Sequence, residues 1–206
     1  MKKSILLIIV CIILSGCSAR AVLVHKKVNY DPKEQARVRI YQSNGNGTTK
    51  VVSNASCKDV EENRKKVIST NPFHRDNFHN GLPKRTLKSI SIGMPQTKYS
   101  LAALNRDSYF DTDSFIEKII PANIPTIIRG SEYFATSGTV HSSTTSCQII
   151  GEFTPQAGKD YEIQYGSNSQ YCRMFIHEIE PFPAQINTKT QAHLEKEVKY
   201  KKCDLY

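Results

Sequence analysis

Tryptophan is absent from this 206-residue chain and methionine occurs only three times. No apolar run approaches the ~20 residues that a bilayer-spanning helix needs, which excludes an ordinary transmembrane segment. The motifs of common enzymes are missing too. There is no G-x-S-x-G nucleophile elbow, no H-E-x-x-H zinc helix and no phosphate-binding loop. The stretch "GNGTTK" (45–50) lacks the glycine and lysine-hydroxyl order of a phosphate cradle and reads as a turn. No C-x-x-C or Cys/His run has the spacing of a zinc site, and no cofactor is implied. These gaps point away from catalysis, and the expectation is a non-enzyme.

Acidic residues are also in deficit, 19 against 28 basic ones. The basic side chains fall in short clusters, Arg64-Lys65-Lys66, Lys84-Arg85 and Lys199-Lys201-Lys202, which is the pattern of a solvated face. What the chain does have is a greasy start. Lys2 and Lys3 precede about ten mostly apolar residues (5–14), and the run ends in Leu14-Ser15-Gly16-Cys17 before turning polar. Positive residues followed by a short apolar core make an export signal. Its end resembles the lipobox of bacterial lipoproteins. The resemblance implies cleavage before Cys17 and acylation of that residue, as by a diacylglyceryl group and palmitate. Ser18, where an Asp would indicate inner-membrane retention, points to the outer membrane, facing the periplasm. Residues 1–16 are then a signal peptide and residues 17–35 a lipidated tether.

Taking away Lys2 and Lys3 with the signal leaves 26 basic residues against 19 acidic ones, a formal +7. Nucleic acid is excluded as a partner for a chain tethered outside the cytoplasm. The membrane, through Cys17, and a protein of the envelope remain. Cys11 leaves with the signal, so Cys57, Cys147, Cys172 and Cys203 are the cysteines of the mature domain. In an oxidising compartment four cysteines read as two disulfides with three connectivities. Cys147–Cys172 with Cys57–Cys203 is the favoured pairing. The loop of ~25 residues closed by the first would contribute ~3 kcal/mol in the chain-entropy model.

Residues 36–206 read as one β-rich domain. In "ARVRIYQ" (36–42), Val38 and Ile40 alternate with Arg37, Arg39 and Tyr41, the pattern of a half-buried strand. "SNGNGTT" has hairpin chemistry, which makes "KVVS" the returning strand. Residues 58–95 are polar, a long irregular insertion with short helical character over 58–68, and the place to expect a partner surface. From residue 114 the signal is strongly β: "SFIEKII", "PTIIRG", "EYFAT", "SCQIIGEFTP", "KDYEIQYG" and "YCRMFIHEIE" follow one another between Pro and Gly turns. An antiparallel meander in a sandwich or small barrel is expected. "TQAHLEKEVKYKK" (190–202) is expected to carry a short helix pinned by Cys203.

The segments "SIGMPQT", "EKIIPANIPTII" and "FTPQAGKDYEIQYG…YCRMFIHEI" are similar to a set of uncharacterised bacterial lipoproteins. That resemblance covers about half the chain and strengthens the fold and the anchor. It implies that Pro155 and Gly158 make a turn and that Tyr161 and Ile163 point into a sheet. It transfers no activity.

Several residues have chemistry that deserves placing. His74 and His79 flank Asp76 in "FHRDNFH", and Asp111 and Asp113 stand two apart in "DTD". Imidazole and carboxylate are metal and acid/base groups, but histidines five positions apart do not share one helix face, and D-T-D also makes an ordinary turn. No metal is assigned. His177 alternates with Glu178 and Glu180 on a strand, so these three do not form one cluster. Tyr133, Phe134, Tyr161, Tyr165, Tyr171 and Phe175 are expected as core or rim aromatics. The leading reading is a lipid-anchored envelope protein that binds another protein, such as an immunity protein or an accessory of an envelope complex. The alternative is an envelope hydrolase or a carbohydrate- or peptidoglycan-binding module.

Overall fold

The computed structural model describes residues 20–43, 49–67, 78–79, 82–83, 86–105, 113–137, 142–167, 171–180 and 194–204. In chain order the elements are β1 (Arg20–His25), β2 (Gln35–Ser43), β3 (Thr49–Ser53), α1 (Cys57–Val67), β4 (Phe78–His79), β5 (Leu82–Pro83), β6 (Thr86–Ser91), α2 (Lys98–Asn105), β7 (Asp113–Pro121), β8 (Thr126–Ser137), β9 (Ser142–Phe153), β10 (Asp160–Ser167), β11 (Cys172–Glu180), β12 (Leu194–Glu197) and β13 (Lys201–Lys202). The fold is mainly β. A seven-stranded sheet has the order β1-β6-β7-β2-β10-β11-β12, a four-stranded sheet the order β13-β9-β8-β3, and β4 and β5 pair with each other. Among the described residues no ladder joins the two large sheets, so they form a sandwich, not a closed barrel.

Alternation explains how they face each other. Ala36, Val38 and Ile40 of β2, Tyr161 and Ile163 of β10, and Met174 and Ile176 of β11 are buried on the inner face of the large sheet. They pack against Ile128, Ile149 and Phe153 of the smaller one. Two tyrosines lie against glycines of the smaller sheet, Tyr165 from β10 and Tyr200 from the segment between β12 and β13. A Cβ built on Gly130 would overlap the Tyr165 ring, and one on Gly151 would overlap Tyr200. The missing side chains are what let the rings approach the sheet.

The outer face of the four-stranded sheet carries a second core, where Val60 of α1, Ala55 and the buried Cys57–Cys203 pair cover Ile127 and Ile150. The start of α1 is capped by Ser56 and Asp59, each bonding the other's backbone N–H. The Cys57 N–H also donates to Glu152 Oε2 at 2.6 Å. Both favoured disulfides are present, Cys57–Cys203 with Cα atoms 5.2 Å apart and Cys147–Cys172 with 5.8 Å. The second links β9 of one sheet to β11 of the other.

Several expectations change. β2 and β3 do not form a hairpin: β2 pairs with β7 and β10, whereas β3 pairs with β8 in the other sheet. Likewise β9 and β10 are not meander neighbours but belong to different sheets. The large sheet is mixed, with β1–β6, β6–β7 and β2–β10 parallel. Within the expected tether, residues 20–25 form β1, because Val22, Leu23 and Val24 are half-buried beside β6. The 58–95 stretch contains α1 and β6 instead of being irregular throughout. In place of a C-terminal helix there are β12 and β13, paired to β11 and β9. The open edges of two sheets, together with the Cys203 bond, outweigh the helical propensity of Leu, Glu and Lys there.

Candidate functional site

On the outer face of the large sheet, strand register brings Arg39 of β2 beside Glu117 of β7 and Glu162 of β10. All three side chains are fully buried. Arg39 donates from Nε and Nη2 to Glu117 Oε1 at 3.1 and 2.7 Å, and from Nη1 to Glu162 Oε2 at 3.2 Å. Its Nη2 also reaches the Pro95 carbonyl at 2.7 Å. Glu117 Oε2 accepts from Ser91 Oγ and from the backbone N–H groups of Ile92 and Met94. Glu162 accepts from Tyr41 Oη and Thr97 Oγ1 at 2.7 and 2.6 Å. Burial works against the Arg39 charge, but Glu117, Tyr41 and Glu162 outweigh it and raise its pKa. Burial, then the neighbouring Glu162 charge, drives the Tyr41 phenol well above its ordinary range, so it stays a donor.

This cluster explains the "SIGMPQT" segment. Gly93 takes the left-handed conformation (φ +90°), which lets the backbone turn its N–H groups toward Glu117. The segment then closes over the ions and leads into α2. Every charged oxygen and nitrogen here is occupied by the protein itself, so the cluster acts as a clamp. Nearer one end of the same face, Arg37 and Asp160 form a two-pronged pair at 2.6 Å.

The outer face of β11 differs. Phe175 is 37% and Tyr171 48% exposed. Phe175 stacks on His177, centroids 6.2 Å apart and planes 17° from parallel. The Arg173 guanidinium lies 4.8 Å over the Tyr171 ring. His177 Nδ1 is buried and has no hydrogen-bond partner among the described residues.

The residues singled out from sequence divide accordingly. Tyr161 and Ile163 are in the core, with Tyr161 edge-on to Phe153 and its hydroxyl accepting from the Gln156 N–H. Tyr165 is partly buried and donates to the Cys147 carbonyl at 2.9 Å. His177 and Glu178 take opposite faces, and Glu178 pairs with Lys159. Glu180 pairs with Leu194 in the β11–β12 register. Tyr133 and Phe134 belong to β8, Asp113 begins β7 and His79 ends β4, but their side chains lie outside the described residues. So do Cys17, His74, Asp76 and Asp111 entirely. Among the described residues no three His, Cys, Asp or Glu side chains gather as metal ligands. The clamp residues were not singled out from sequence. The alternation of "ARVRIYQ" places Arg39 on the polar face, yet its partners are 78 and 123 residues away.

Comparison with protein-family models, with curated proteins and with solved structures returns no match.

Proposed function

We propose that this chain is a lipid-anchored protein of the bacterial cell envelope, held through Cys17 in the outer membrane and facing the periplasm. In this reading it acts without catalysis, as a module that binds another envelope protein. The observation that carries the reading is Phe175, a large apolar ring standing 37% exposed within a regular strand. Covering its exposed part contributes roughly 0.5–1 kcal/mol. Aromatic and arginine side chains on a rigid surface are what protein interfaces use as anchors. The ionic clamp fits this reading, because Arg39, Glu117 and Glu162 are engaged in holding the "SIGMPQT" segment. Two disulfides suit an exported chain, and the lipobox supplies the anchor. An immunity protein or an accessory of an envelope complex are the forms this module would take.

The test is affinity capture of the full chain from mildly crosslinked envelopes, beside Phe175→Ala and Cys17→Ala. A single stoichiometric partner that is lost with Phe175→Ala is the expected result. Binding of cell-wall fragments with no protein partner would replace this reading with the carbohydrate-binding or hydrolase alternative.

A further inference from the structure

The start of the large sheet lies very near the proposed lipid. Three residue steps separate Cys17 from Arg20, a reach of ~10 Å at full extension, and Arg20 is already in register with Thr86. Strand directions extend this end across the sheet. β1, β6 and β7 run parallel, β2 and β10 run against them, and β11 runs with them again. The starts of β1, β6, β7 and β11 therefore share one rim with the ends of β2 and β10, where Ser43 meets Asp113 and Ser167 meets Cys172. Tyr171 and Arg173 stand on that rim, both exposed. Lys84 and Arg85 immediately precede β6 in sequence.

We propose that this rim rests on the headgroup layer of the bilayer that holds Cys17, with Tyr171 and Arg173 as the contact. The proposal rests on the lipid-anchor reading above. Its chemistry is that of an interfacial pair: tyrosine offers an apolar body with a polar tip, and arginine lays its stem along apolar surface while its head meets phosphate. Five strand steps of ~4.8 Å place β11 ~24 Å from β1 along the sheet. The anchor alone would leave the domain free to pivot about β1, and a second contact at that distance fixes its tilt. The acyl chains on Cys17 already suffice for stable attachment, so this contact orients the domain and does not hold it there. The Phe175 face then projects beside the membrane, where an envelope partner can reach it.

The absence of tryptophan makes a clean test. Tyr171→Trp and Val28→Trp each introduce a single tryptophan at an exposed site, on opposite rims, since Val28 follows the far end of β1. The lipidated full-length proteins are reconstituted into phosphatidylethanolamine–phosphatidylglycerol vesicles, with and without acyl-brominated lipid. Tyr171→Trp should shift its emission to shorter wavelength and be quenched by bromine, Val28→Trp should do neither, and adding Arg173→Glu should reduce the quenching. Acylation of Cys17 is checked by mass and attachment by flotation. Protein that is acylated and floats while Tyr171→Trp stays unquenched, or while both positions quench equally, overturns the rim contact and leaves the anchor standing. Protein that carries no acyl chain and does not float overturns both.

Discussion

Glu117 accepts five hydrogen bonds, two from Arg39 and three from residues 91–94, with no exposed surface. Both oxygens of this carboxylate are met by donors, and its charge holds Arg39 in turn. Removing that charge leaves a buried guanidinium short of a partner and turns two backbone N–H groups toward a neutral amide. Glu117→Gln should therefore cost ~3–5 kcal/mol, read as a lower urea midpoint at an unchanged slope. Glu178→Gln, whose partner Lys159 is 47% exposed, should cost less than ~1 kcal/mol. Equal losses for the two variants would mean that the clamp does not hold the fold. Nothing local in the sequence marks Glu117 as different from Glu178. Both sit in alternating strands, and only long-range register decides which one is enclosed.

Elements were legible where their periodicity was strong, and less so where the choice was between neighbours. β2, β7, β10 and β11 follow directly from alternation and turn residues. Alternation says which face of a strand is buried but not which sheet it joins, so the Asn-Gly turn chemistry of 44–47 pointed to a hairpin that the two sheets divide. The polar "KDVEENRKKV" announced α1, and its cap is testable in its own right. Hydrogen bonds from Ser56, first the side chain and then the backbone, hold the Asp59 carboxyl below its ordinary value. A depressed folded pKa means stability that is present above the unfolded value near ~3.9 and lost as pH falls through the folded one. Ser56→Ala should raise the Asp59 pKa measured by carboxyl NMR and weaken amide protection in the first turn of α1 at neutral pH. An Asp59 titration unmoved by Ser56→Ala would place the source of the shift elsewhere.

At the scale of the whole molecule the two disulfides do different work. Cys147–Cys172 crosses the sandwich and closes 25 residues; Cys57–Cys203 fastens α1 to the segment after β13 and closes 146. If constraint of the unfolded chain is the main effect, stabilisation grows with the logarithm of loop length. That gives roughly 3.5 kcal/mol for the short loop and about 5 kcal/mol for the long one. Packing argues the other way, since the short loop joins the two faces of the main core whereas the long one serves the smaller core under α1. Urea unfolding of Cys147→Ala/Cys172→Ala and Cys57→Ala/Cys203→Ala, each in a Cys17→Ala background, sets the two effects against each other. The chain-entropy argument expects the second variant to lose about 1.5 kcal/mol more than the first. A greater loss from the inter-sheet pair would show instead that this bond acts mainly in the folded state, by holding β11 against β9 where Tyr165 reaches the Cys147 carbonyl.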